Sequence, residues 1–156
     1  MTALFSLSSG HRYTQELEPE GLGQTRPLQL GVRSILNPLI AEFAEPLNAS
    51  QTPPVSNFDL QIHKTITTDF LSLTLYVNVL NVFNTKNVLN VYPTTGAAND
   101  DGWFANVLAA PYLQTPGYEQ FYRDINLKNR WAYMSATGND IYGTPRQVQF
   151  GLRVEM

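Results

Sequence analysis

Two histidines, His11 and His63, are the only imidazoles in the 156 residues, and they stand 52 positions apart. Neither is framed by the Ser, Asp or Glu motif that would make it a general base or activate a nucleophile. Glu119 and Asp124 lack a spacing suited to paired acid–base work. No glycine-rich phosphate loop is present, and the absence of cysteine removes both disulfides and thiolate metal sites. Asn99-Asp100-Asp101-Gly102 clusters oxygen ligands beside a glycine and could hold Ca²⁺, but it lacks the spaced carboxylates of a calcium loop. Turn chemistry accounts for the four residues without an ion. The residues make no case for an enzyme, and none for a metal or a cofactor.

Aromatic side chains are the remaining candidates for contact with a ligand. Trp103, Phe104, Tyr112, Tyr118, Tyr122 and Trp131 crowd into residues 93–142, together with Tyr133. They could touch a ligand, form an aromatic belt at a membrane interface, or pack the segment against itself. Packing is the plainer reading.

The net charge of −3 argues against a nucleic-acid partner, which needs a basic patch. No run of about 18 apolar residues occurs, so no transmembrane helix is expected. The first ten residues lack a basic stretch followed by a long apolar one and do not form a signal peptide.

Positioning falls to strands. Over residues 146–156, Val148, Phe150, Leu152, Val154 and Met156 take every second position, with Gln147, Gln149, Gly151, Arg153 and Glu155 between them. Alternation places one set on each face. A strand of about 9–11 residues, tilted, crosses a bilayer's hydrocarbon layer. Residues 2–9, 56–66, 70–83 and 88–92 read as further strands, the last three forming a meander with hairpin-length connections. Lys64 falls on the face of Phe58, Leu60 and Ile62. A lipid-facing lysine costs roughly 2–4 kcal/mol at the midplane, so it must lie at a rim with its ammonium in water.

Between the strands, residues 11–55 carry six prolines, which exclude a continuous helix or a central strand. Only residues 33–44 suggest a short helical turn, with Pro38 at a first position. So long a connection implies that something else packs against it. In residues 93–142, Thr115-Pro116 looks like a helix cap and first residue. Tyr118, Phe121, Tyr122 and Ile125 then follow at helical spacing.

With the strands placed, the chain resembles a known family. L-Y-V-N-V-L-N-V-F-N-T-K-N-V-L-N-V-Y-P-T-T-G, then N-D-D-G-W, then T-P-R-Q-V-Q-F-G-L-R-V-E-M are similar to the C-terminal barrel of TonB-dependent outer-membrane receptors. The wording is nearest the Oar-like subgroup, which carries a carboxypeptidase-regulatory-like domain. The opening A-L-F-S-L-S-S-G-H-R-Y-T also resembles that subgroup. Asn81-Val82-Phe83-Asn84 looks like the family's penultimate periplasmic turn. Gln149, Gly151, Val154 and Met156 match its C-terminal assembly signal, although the family usually ends in an aromatic residue and Met156 stands there instead. The resemblance covers about two thirds of the chain.

The resemblance implies an all-β fold: an antiparallel meander of about five strands, the C-terminal fragment of a 22-stranded transmembrane barrel with long loops and a short helix. It divides the chain into a strand (1–10), an irregular insertion (11–55), a three-strand meander (56–92), an extracellular loop (93–145) and a last strand (146–156). Counted back from a periplasmic C-terminal end, residues 11–55 fall on the periplasmic side. The implied function is part of an active transporter in the bacterial outer membrane, contributing wall and one loop and not competent alone. Its partners would be outer-membrane lipid, the remainder of barrel and plug, and the barrel-assembly machinery, with TonB engaged only through the missing N-terminal part. Two other readings stay open: a soluble β-sandwich binding carbohydrate or peptide, and a non-functional truncated remnant.

Overall fold

The computed structural model describes residues 1–17 and 26–155. In chain order these form β1 (Thr2–Ser8), β2 (Arg12–Tyr13), α1 (Arg33–Leu36), β3 (Ser50–Gln51), β4 (Val55–Thr67), β5 (Ser72–Leu80), α2 (Ala110–Leu113), α3 (Tyr118–Tyr122), α4 (Trp131–Thr137) and β6 (Gln147–Glu155). Sheet is the main regular structure: a four-stranded antiparallel sheet in the order β1-β4-β5-β6 and a two-stranded sheet of β2 and β3. The larger sheet does not close on itself. The chain divides into two compact units. One holds Met1–Ser9, Pro54–Asn87 and Gly143–Met156; the other holds Gly10–Pro53 and Val88–Tyr142.

The first unit is the four-stranded sheet. Its register carries the alternation of each strand across to the next. Ala3, Leu60, Val79 and Val148 form one row, and Ile62, Val77 and Phe150 the next. Lys64, Leu75 and Leu152 follow, then Ile66, Leu73 and Val154. With Phe5 opposite Phe58, these residues make one continuous apolar face interrupted by Lys64 and by Ser56 opposite Leu7. Lys64 stands three positions from the end of β4, beside the short turn that Thr68 and Leu71 close with two backbone hydrogen bonds. The opposite face presents Gln61, His63, Thr65, Thr74, Tyr76, Asn78, Gln149 and Arg153. On the apolar face Phe150 is 77% exposed, and Phe5, Leu7, Leu152 and Val154 are each more than half exposed.

Three sequence expectations change here. Residues 88–92 are not a strand. Val88 makes a single bridge to Tyr142, the amides of Leu89 and Asn90 both donate to Ile141 O, and Tyr92 N donates to Ala97 O. The main sheet therefore has four strands rather than five, and the segment 56–92 contributes two of them. β6 pairs directly and antiparallel with β5, so β4 and β5 each run opposite to the sense expected for them relative to β6. Ser8 lies opposite Val55 and Leu80 opposite Gln147. Both long excursions thus leave and re-enter at one end of the sheet, and only the β4–β5 turn stands at the other. The Asn81–Asn84 turn lies at the end shared by the excursions, away from the C-terminal end of β6.

That turn forms because Asn81 and Asn84 accept left-handed backbone, with φ of 53° and 52°, a conformation in which asparagine is enriched. Asn84 N donates to Asn81 O at 2.8 Å. The Asn81 amide is buried and fully used. Its Nδ2 donates to Thr85 O and Thr144 O, its Oδ1 accepts from Thr85 N, and its backbone N–H donates to Asp59 Oδ1.

In the second unit the two excursions share two apolar cores. Leu30 joins Trp103, Leu108, Ala109, Tyr122 and Leu127, while Val32 joins Tyr92, Ala98, Ala132, Tyr133 and Ile141. The proline-rich span is therefore packed, as its length implied. It is less irregular than its composition suggested: β2 pairs β3, Glu16 bridges Phe43, and a 3₁₀ turn at Pro38–Ile40 begins with Asn37 capping Leu39 N. The helix expected from Thr115-Pro116 starts later. Gly117, with φ of 81°, precedes α3, and no side chain caps it. α3 then runs into a six-residue π-helical stretch, Arg123–Lys128.

Candidate functional site

Trp103, Phe104, Tyr112, Tyr118 and Tyr122 converge: Trp103 and Tyr122 lie in a core, Phe104 and Tyr118 pack against it half-buried, and Tyr112 stays exposed. Gly102, at φ 82°, turns the chain into the 3₁₀ helix Trp103–Ala105, and Tyr118 and Tyr122 share one face of α3. Trp103 stacks on Tyr122 with ring centroids 5.8 Å apart, Phe104 meets Tyr122 edge-on at 5.2 Å, and Tyr112 bridges Trp103 and Tyr118. Trp103 and Tyr122 are 0% and 1% exposed, so neither presents a surface to a ligand. Trp131 stands apart from them and is 54% exposed.

A buried carboxylate fixes that core. Asp101 Oδ2 accepts from Tyr122 OH at 2.5 Å and from Asn126 Nδ2 at 2.7 Å, while Oδ1 accepts from Trp103 N. Asn126 Oδ1 in turn accepts from Ala132 N and so seats the start of α4. One side-chain chain links the Asn-Asp-Asp-Gly turn, the π-helical stretch and α4. Gly31 is needed for this closeness, since a Cβ there would lie 2.6 Å from Tyr92 Cδ1 and 2.7 Å from Asp101 Cβ. Burial pushes the Asp101 carboxyl above its usual value, although its donors oppose the shift. Burial likewise raises the Tyr122 hydroxyl, with the neighbouring Asp101 charge adding to it. Asp101 is thus a core residue, and no group of three metal-ligating side chains occurs among the described residues. The signal that could have found the hub was weak: an Asp two residues before a Trp, and a Tyr and an Asn four residues apart.

Beside Trp131 an open groove of about 690 Å³ is lined by Leu28, Ile125, Asn129, Trp131, Met134 and Ser135. Of these, the sequence singled out only Trp131 as a ligand contact; Ile125 was read as part of a helical face, and the other four were not named. Arg130, just before α4, has φ 52°. It is held by a two-pronged pair with Asp140, at 2.6 Å from Nε and 2.8 Å from the terminal nitrogen, and it lies over the Tyr142 ring. The hydrogen bonds from Arg130 hold the Asp140 carboxyl below its usual value.

The four positions of the assembly-like signal sit in β6. Gln149 is opposite Asn78 on the polar face, Gly151 opposite Tyr76, and Val154 opposite Leu73 on the apolar face; Met156 lies outside the described residues. His63 is opposite Tyr76 on the polar face. His11 belongs to the other unit, where its backbone amide donates to Thr52 Oγ1 at 3.0 Å. Glu119 and Asp124 pair with Arg123 and Lys128 one helical turn along, which leaves both as surface ion pairs.

No helix among the described residues is long and apolar enough to cross a membrane. Comparison with protein-family models, curated proteins and solved structures returns no match to this chain.

Proposed function

We propose that this chain is a section of the wall of a TonB-dependent outer-membrane transporter, with the excursions as its outer loops. The observation that carries the reading is the apolar face of the four-stranded sheet. It runs unbroken from Phe5 and Phe58 to Phe150 and Val154 apart from Lys64 and Ser56, most of it is exposed with Phe58, Leu60, Leu73, Val77 and Val79 half-buried, and it backs a face of amides, hydroxyls and charges. Exposed apolar patches on soluble monomers seldom exceed a few hundred Å², whereas lipid on one side and a wet lumen on the other require this alternation. Lys64 fits, because it lies beside the β4–β5 turn, where a rim would be and where its stem can reach water.

The strand directions support the same reading. With the C-terminal end of β6 on the periplasmic side, the four-residue β4–β5 connection is periplasmic and both long excursions are outside. Short inner turns and long outer loops are the rule for such barrels. On this reading residues 11–55 and the Asn81–Asn84 turn lie on the outer side rather than the periplasmic side first expected. Lipid does not tolerate unpaired backbone groups, and among the described residues no strand pairs with the outer edge of β1 or of β6. Further strands of the receptor must therefore flank them, and the section does not transport alone.

A soluble β-sandwich is less well supported, since the inner faces of two sheets should interdigitate as a core and this apolar face is exposed. A cysteine-free chain allows a direct test. Single cysteines at Phe150, Leu152, Gln149 and Arg153, in the receptor assembled in outer membranes, are exposed to a membrane-impermeant maleimide. The expected result is protection at Phe150 and Leu152 with labelling at Gln149 and Arg153. Equal labelling of both faces would end the barrel reading.

A further inference from the structure

The groove at Leu28, Ile125, Asn129, Trp131, Met134 and Ser135 gathers three departures from regular backbone. Leu28 holds φ 69° and Arg130, next to Trp131, φ 52°. Left-handed backbone costs a side-chain-bearing residue roughly 1–2 kcal/mol, and such strain collects at ligand clamps. Ile125 projects from the π-helical stretch Arg123–Lys128, a distortion frequent at functional sites. The volume of about 690 Å³ falls within the roughly 300–1,000 Å³ of small-molecule sites.

The lining narrows the occupant. Leu28, Ile125 and Met134 give an apolar floor, and Trp131 leaves half its indole open beside them. None of the six residues ionises, so a charged ligand would lose water without compensation. Asn129 Nδ2 donates to Asp124 O at 2.7 Å, which leaves its Oδ1 to accept. The Ser135 hydroxyl and the Trp131 indole N–H have no partner among the described residues. A wholly apolar ligand would strand these three groups. A sugar ring has what they lack: a C–H face to lie on the indole, and hydroxyls at its edge to pair with an amide oxygen, a hydroxyl and an N–H. We propose that the groove binds a neutral saccharide, stacked on Trp131 and held at its edge by Asn129 and Ser135. This rests on the second unit alone and does not depend on the sheet facing lipid.

The test uses the full chain in detergent micelles, titrated with maltotriose, cellotriose and triacetylchitotriose while tryptophan emission is followed. Trp103 is 0% exposed, so a change on binding reports Trp131. At least one trisaccharide is expected to give a saturable change, with affinity lowered about tenfold or more in Trp131→Ala and about threefold to tenfold in Ser135→Ala. Both substitutions lie on exposed positions, and far-ultraviolet dichroism verifies that the fold is kept. No saturable change with any of the three sugars overturns the assignment. So does sugar binding that survives Trp131→Ala undiminished, or saturable binding of the apolar probe 1-aminoanthracene in place of every sugar.

Discussion

Tyr76 lies directly across the β5–β6 pair from Gly151, and its ring covers the glycine so closely that a Cβ there would fall 1.9 Å from Tyr76 Cζ. Gly151 belongs to the assembly-like signal of β6, and the ring supplies a local reason for it: the aromatic takes the space of the missing side chain. Because the obstacle is the far end of a half-exposed side chain, Gly151→Ala should swing the ring away rather than move backbone. The expected loss is that of one cross-strand pair, about 0.2–1 kcal/mol. In a denaturant double-mutant cycle on the chain in micelles, Tyr76→Ala should cancel most of the effect. Additive losses would show that ring and glycine do not depend on each other.

Charge on the two faces of β6 should separate cleanly. Phe150 and Gln149 are neighbours in sequence, both exposed, on opposite faces. In the assembled receptor, Phe150→Lys places an ammonium where lipid is proposed and should cost about 2–4 kcal/mol near the midplane, seen as a sharp drop in folded receptor recovered from outer membranes. Gln149→Lys faces the wet side and should leave recovery near wild type. Equal recovery of the two variants would count against lipid on the Phe150 face.

What could be read ahead of the structure follows from how each signal is encoded. β4, β5 and β6 were legible because alternation over nine or more residues has few competing explanations. Residues 88–92 were misread because Val88, Leu89, Val91 and Tyr92 have strand-like composition for a different reason. Val91 and Tyr92 fill a core at 7% and 0% exposure, and their neighbours' backbone bonds go to Ile141 O rather than to a ladder. Aromatic composition did not distinguish Trp103 from Trp131, since both are tryptophans in polar surroundings. The three bonds to the Asp101 carboxylate decide which one is interior, and such bonds leave no periodic trace. The Leu28 backbone and the π-helical stretch are tertiary outcomes, and so the groove they frame was not legible either.

Two carboxyls of the second unit should give opposing pH dependences. Burial raises Asp101 above the ordinary 3.8, so the folded chain holds this proton more tightly than the unfolded one. Its contribution is complete below that value and is lost as pH rises through the folded value. Hydrogen bonds from Arg130 lower Asp140 below 3.8, so its contribution is present above that value and lost as pH falls through the folded one. Thermal unfolding followed by near-ultraviolet dichroism, from about pH 2 to about pH 7, should show Asp101→Asn removing the loss on the alkaline side. Arg130→Ala should remove the loss on the acid side. If neither variant changes the shape of the profile, these groups do not govern it.

At Asn81 the contributions of backbone and side chain can be told apart. It combines φ 53° with three side-chain hydrogen bonds, to Thr85 N, Thr85 O and Thr144 O, and is 4% exposed. Asn81→Gly keeps the left-handed backbone available and removes only the side-chain bonds, each worth about 0.5–1.5 kcal/mol. Asn81→Ala removes the same bonds and adds the steric cost of left-handed backbone, roughly 1 kcal/mol more. The order of stability in denaturant should therefore be wild type, then glycine, then alanine. The fall from wild type to glycine should be the larger step, because the bonds to Thr85 and Thr144 hold the exit of β5 against the approach to β6. Alanine matching glycine would mean that the turn relaxes out of its left-handed conformation once the amide is gone.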